Sequence, residues 1–137
     1  MKGKTIKELK IGDRASVSKT ITETDVYMYA GITGDLNPMH INEEVAKQTM
    51  FKGRIAHGML TAGLVSAVLA MQLPGPGTIY MGQELKFVSP VRFGDTITAE
   101  VEVVEFIKNK MVRLKTDCTN QEGTVVLEGY ALVMPPK

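Results

Sequence analysis

Apolar residues recur along the chain in two rhythms, and the change from one to the other divides it. Arg14–Thr20 alternates weakly and reads as a short strand. After it the spacing is helical. Thr22, followed three residues on by Asp25, is a helix-start signature, and Val26, Tyr29 and Ala30 fall on one face of the helix it opens. Gly31 and Gly34 end that helix. Asp35–Ile41 reads as a loop stiffened by Asn37-Pro38. Asn42 reads as the cap of a short helix over Glu43–Lys47, and Met50–His57 as a second loop. A long apolar helix is expected from near Gly58 to about Gln72, stopped by Pro74-Gly75-Pro76-Gly77. Beyond that point the rhythm becomes two. Thr78–Val88, Thr96–Ile107, Met111–Thr119 and Thr124–Met134 read as strands, with a hairpin turn at Asn109-Lys110. Within Thr96–Ile107, Ile97, Ala99, Val101 and Val103 share one face.

Helices first and then an antiparallel run of strands make an α+β layout. The stretch Met59–Leu73 carries no charge, and it is shorter than the ~20 residues a membrane span requires. A helix without a polar face is expected to be buried on all sides, so the sheet should curl around it. Gly63 and the neighbouring alanines should let the sheet backbone come close. The 137 residues fit one domain, 1–137, large enough for a core without disulfide or metal staples.

Composition narrows the classes further. Apolar residues make up 44% of the chain, which excludes disorder. Sixteen basic and fifteen acidic residues are interspersed, for a net charge of +1, so nucleic acid has no electrostatic foothold. Cys118 is alone, which points to a reducing, cytoplasmic setting. Alternation places it beside Val112 and Leu114 as a buried structural thiol rather than a nucleophile. Met1–Lys10 is polar and basic with no apolar core, so neither a signal peptide nor a membrane anchor is expected.

The two histidines, His40 and His57, both fall in loops near the start of the apolar helix. Asp35 lies five residues before His40. A carboxylate and an imidazole converging on one point can hold a water, one taking its proton while the other delivers one elsewhere. The structural alternative for Asp35 is a turn-forming side chain, and for Asn37 that alternative is preferred. Asp35, His40 and His57 supply three candidate metal ligands. No cysteine pair, His-x-x-x-His spacing or calcium-loop ladder supports that use, so no metal is expected. Gly58 stands where the apolar helix begins. A first-turn amide has no internal partner and can receive an oxygen that gains negative charge, although a glycine there can also simply permit a turn. Ser66 shares a stripe with Met59, Gly63 and Ala70, and such residues usually bond back to their own backbone.

Taken together, several segments carry a resemblance that spans nearly the whole chain. They are Tyr29, Ile32 to His40, Ile55-Ala56-His57-Gly58-Met59-Leu60, Gln72-Leu73-Pro74-Gly75, Ile79-Tyr80-Met81-Gly82, Phe87, Pro90-Val91, Gly94-Asp95 and Thr98-Ala99-Glu100-Val101. They resemble the MaoC-like, or hydratase-2, branch of the hot-dog superfamily, nearest the small (R)-specific enoyl-CoA hydratases of PhaJ type. The resemblance implies a hot-dog fold, a long central helix wrapped by a curved antiparallel sheet. It also implies a homodimer, or a higher homo-oligomer, with the acyl pocket near the interface. The implied reaction is reversible addition of water to a short trans-2-enoyl-CoA. In it Asp35 and His40 are the catalytic pair, and the Gly58 amide receives the thioester oxygen. Ser66 lies near the site, and Leu69 and Leu132 limit acyl length. No metal or redox cofactor is implied, since CoA is part of the substrate. The same reaction on acyl carrier protein, as a (3R)-hydroxyacyl-ACP dehydratase, is the nearest alternative. A thioesterase or a non-catalytic acyl-thioester-binding subunit fits the Asp35–His40 spacing less well.

Overall fold

Alternating strands with one apolar face need something to bury that face against, and here it is a single helix. The computed structural model describes residues 2–137. Its elements are β1 (Arg14–Thr20), α1 (Glu23–Thr33), α2 (Pro38–Ile41), α3 (Glu43–Ala46), α4 (Gly58–Met71), β2 (Ile79–Phe87), β3 (Thr96–Ile107), β4 (Met111–Thr119) and β5 (Val125–Met134). The five strands form one antiparallel sheet in the order β1-β3-β4-β5-β2. Register shifts interrupt the β2–β5, β3–β4 and β4–β5 ladders. Such bulges bend a sheet, and α4 touches all five strands from the concave side. This is the hot-dog layout.

The core follows the sequence pattern. Ile97, Ala99, Val101 and Val103 are fully buried against α4, whose Val65, Val68 and Leu69 face the sheet. Cys118 is buried on the face of Val112 and Leu114, and burial pushes its thiol up to about 12, which keeps it protonated and unreactive. Thr22 and Asp25 form a reciprocal capping box at the start of α1. Gly34, at φ 80°, ends that helix in the left-handed conformation that glycine adopts without penalty.

Two expectations are corrected. Asp35–Ile41 is not loop throughout. Pro38 occupies the first helical position, where its missing N–H costs nothing, and Asn37 caps the turn by accepting from the Met39 amide. And α4 is not buried all round within one chain. The sheet covers one side only, leaving Met59, Gly63, Ser66, Ala67, Ala70 and Met71 open. Gly63 therefore makes no close approach to the sheet; a side chain there would meet nothing within 4 Å.

The glycine the sheet does require is Gly129 on β5, where an added Cβ would lie 1.8 Å from the Glu84 carbonyl oxygen of β2. Gly129→Ala should force the two strands apart. We expect a loss of about 1–3 kcal/mol of unfolding free energy in urea titration, the usual cost of overpacking, while Gly63→Ala should not destabilise the chain.

Candidate active site

Three segments cross at the start of α4. The connection from α1 to α2 brings Asp35, α2 brings His40, and the segment before α4 brings Ile55 to His57. Backbone hydrogen bonds hold the crossing: Ile55 N–H donates to Met39 O, and Ala56 N–H to Val91 O. The outer part of the second loop is held by Arg92, whose guanidinium donates to the carbonyls of Phe51 and Gly53. Arg54 ties the same loop to Glu23 and Glu43 through ion pairs.

Each functional side chain is set by these local bonds. Asp35 takes the turn-forming position and keeps its carboxylate open. Its Oδ1 accepts from the Asn37 amide at 3.2 Å, a turn-forming bond, while the side chain remains half exposed. His40 Nδ1 lies 2.7 Å from the Ile55 carbonyl oxygen. A carbonyl only accepts, so Nδ1 carries the proton and the neutral ring keeps its lone pair on Nε2. His57 is reversed: its Nε2 donates to the Asp35 carbonyl at 3.0 Å, which leaves the lone pair on Nδ1. That nitrogen and the Thr61 hydroxyl, one helical turn later, are buried without a partner. The two imidazoles stack with centroids 3.8 Å apart, and Tyr29 packs on His57 at 4.7 Å.

His57 Nε2 is also 4.0 Å from the Asp35 carboxylate, an ion-pair distance. The ring is not charged there. Burial, reinforced by the neighbouring His40, holds His57 below the ordinary histidine value, outweighing the pull of Asp35.

A carboxylate oxygen of Asp35 and one ring nitrogen each of His40 and His57 lie within 4.8 Å of one another. Two hydrogen bonds of ordinary length from one tetrahedral water span roughly 4.6 Å, so groups gathered this closely can share a single water. The donor set suits a metal poorly. His57 offers one nitrogen already committed to a carbonyl and one sealed in the core, so only Asp35 and His40 could reach an ion.

Asp35, His40, His57 and Gly58 all line one cavity of about 400 Å³, within the ordinary range for a small-molecule site. Gly58 is the first residue of α4, so its amide has no intrahelical acceptor and carries the positive end of the helix dipole. A Cβ at Gly58 would fall 2.5 Å from the Phe87 ring, so a side chain there would force that ring to move.

The remaining expected residues fall elsewhere. Ser66 lies on the open face of α4, in a second hollow of about 550 Å³ shared with Tyr80 and Gln83 of β2. Leu69 is buried in the core beneath α4 and lines neither cavity. Leu132 lines neither cavity. It pairs with Gly82 and Arg113 on the outer side of the sheet, because alternation along β5 sends Ala131 and Val133 inward in its place. Sequence reasoning left out Phe87 and Thr61 as cavity walls and weighed His57 only as a candidate metal ligand. For His57 the signal was its place directly before Gly58, where anything capping α4 must face the site.

A model for the MaoC-like domain matches residues 8–126. An (R)-specific enoyl-CoA hydratase of Rhodospirillum rubrum is 54% identical over 94% of this chain and 90% of its own. A 3-hydroxybutyryl-CoA dehydratase of Methylorubrum extorquens is 48% identical over 95% of this chain and 83% of its own. Among solved structures, the R-hydratase PhaJ1 from Pseudomonas aeruginosa superposes with a TM-score of 0.93 at 43% identity, covering 99% of this chain and 88% of that one.

The depressed His57 value has a consequence for stability. Below the ordinary value of 6.5 the unfolded chain takes up a proton at His57 that the folded chain refuses, so stability falls as pH falls. The carboxylates held low by hydrogen bonds, Glu8, Glu23 and Asp25, act only below about their ordinary values of 4.5, 4.5 and 3.8. Thermal melts between pH 7 and 5 should therefore show a declining melting temperature, and the decline should shrink in His57→Phe.

Proposed function

The chain belongs to the MaoC-like domain family, and we propose that it is an (R)-specific enoyl-CoA hydratase, adding water reversibly to a short trans-2-enoyl-CoA. The observation that carries this reading is the meeting, in one cavity, of the Asp35–His40 pair with the unpartnered amide of Gly58. Water attacks C3 of the enoyl thioester, and the double-bond electrons move toward the thioester oxygen. Gly58 N–H receives that oxygen as its charge grows; one such donor is worth roughly 3–4 kcal/mol of barrier. The pair takes one proton from the water and returns one to C2, so the site ends each turnover in the protonation state in which it began. His40 contributes the free Nε2, and Asp35 the free carboxylate oxygen. The (R) outcome is drawn from the relatives named for it. No metal or redox cofactor enters this reading, in which the pair and the amide account for the protons and the charge.

We place Ser66 and Leu69 at the edge of substrate recognition rather than in the reacting centre, since neither lines the cavity that holds the pair.

The working form is a homodimer in a reducing cytoplasm. The two sheet edges differ. β1 presents Ser16, Ser18, Lys19 and Thr20, polar residues that discourage pairing. β2 presents Ile79, Tyr80 and Met81, each at least 40% exposed, beside the open apolar face of α4. An edge and a face of that kind fit a second copy of the chain.

Two tests follow from this reading. Asp35→Ala and His40→Ala should each lower hydration of crotonyl-CoA by roughly 10²–10⁴-fold, the range for losing acid–base catalysis, with melting temperatures little changed and a chelator without effect on the wild type. Near wild-type turnover in either variant sinks the paired mechanism, and release of free CoA thiol indicates a thioesterase. An acyl-carrier-protein thioester run alongside decides the carrier. Met81→Lys combined with Ala67→Glu should convert the dimer to a monomer in light scattering; an unchanged mass refutes that interface.

A further inference from the structure

Neither member of the reacting pair is held by a long element of its own. Asp35 sits in the short connection between α1 and α2, and His40 on a single helical turn. Both lean on His57. Its ring is 2% exposed and bonds the Asp35 carbonyl with Nε2–H at 3.0 Å. One face of the ring lies 3.8 Å from His40, and Tyr29 from α1 packs on it at 4.7 Å. His57 is also the residue from which α4 starts. One buried ring therefore joins the water-handling pair to the helix that carries the Gly58 amide.

We propose that His57 is a positioning residue for the hydration reaction, its neutral imidazole fixing the distance between the Asp35 carboxylate and His40 Nε2 through one hydrogen bond and one stacked face. The proposal rests on the reading of Asp35 and His40 as the pair that handles water. Two features separate it from simple filling of space. First, Nδ1 is buried with no partner, a cost to folding that a phenylalanine of similar shape would not carry. The Nε2–H bond to Asp35 is what histidine adds in return. Second, the groups facing His57 are the His40 ring, the Asp35 carboxylate and carbonyl, and the Tyr29 ring. A positive charge on His57 would oppose a proton arriving on His40 and pull the carboxylate out of line, so only the neutral ring supports the pair. Burial favours that form.

The test compares the full-length wild type with His57→Phe, which keeps ring and volume but has no donor, and with His57→Gln, which keeps an N–H near the Nε2 position without the ring. With crotonyl-CoA, His57→Phe should lower kcat on the order of 100-fold, the scale of a small misplacement of reacting groups, with KM within about twofold. His57→Gln should recover about a tenth of wild-type kcat on the same scale. Melting temperatures separate misplacement from unfolding. Ring ¹⁵N shifts of the wild type, which need neither variant nor substrate, should report His57 as the neutral Nε2–H tautomer at pH 7. The proposal is overturned by wild-type kcat in His57→Phe, by a loss confined to KM or tracking only the folded fraction, or by an Nδ1–H or charged ring. Should the wild type fail to hydrate crotonyl-CoA, the assigned reaction is what falls, and the tautomer measurement still decides whether His57 makes the tie.

Discussion

Val65, Val68 and Leu69 of α4 have one place to go, the concave face of the sheet, and the rest of the molecule is arranged around that packing. Burying three such side chains contributes on the order of 5–8 kcal/mol, a large share of the stability a domain of this size retains. The cost is positional: once these residues are seated, the start of α4 can lie in only one spot relative to β2 and the loops before it. Gly58 is fixed by that seating, with the Phe87 ring against its Cα. The amide proposed to meet the thioester oxygen is therefore aimed by the core.

The same packing sets the protonation chemistry. Two backbone carbonyls, those of Ile55 and Asp35, choose opposite tautomers for two stacked imidazoles. Carbonyls cannot donate, so neither choice can be reversed without breaking a bond or moving a segment. The result is a division of labour by exposure. The buried ring is held toward its neutral form by lack of solvent, and the other is partly exposed at the cavity. Had both rings been exposed, nothing would have distinguished them, and three converging donors would look like a metal site.

Much of this was legible in the residues, for reasons that can be named. Strand alternation is a two-residue signal that depends on nothing distant, so β1, β3 and β4 appear where the pattern places them. The Thr22–Asp25 capping box is equally local. Asp35 and His40 stand five apart in a segment with strong turn residues, and proximity in sequence became proximity in space. What local pattern cannot carry is which side of a uniformly apolar helix the sheet covers. Nothing in Met59–Leu73 marks Gly63 and Ser66 as open and Val65 as buried, because all are compatible with burial. The outward side of Leu132 was hidden for a related reason. Whether a strand residue faces in or out turns on a register of one, and β5 lies next to an irregular pairing with β4 that sequence does not announce. His57 was hidden because its role lies in contacts across 22 residues to Asp35 and 17 to His40.

β2 links assembly to chemistry. Its last residue, Phe87, and the following Val88 wall the cavity that holds the pair, while Ile79 and Met81 at its other end form the unguarded edge. In one chain the Asp35 side chain is half exposed, and a reaction that builds charge on a thioester oxygen gains most from its amide donor where water is excluded. A second chain added along β2 and the open face of α4 stiffens the strand that carries Phe87, and through Phe87 the start of α4. The proposed dimer is thus more than a way to cover apolar surface. An interface variant that left each chain folded would still loosen the wall on which the Gly58 amide depends, so activity and assembly should fail together through this one strand.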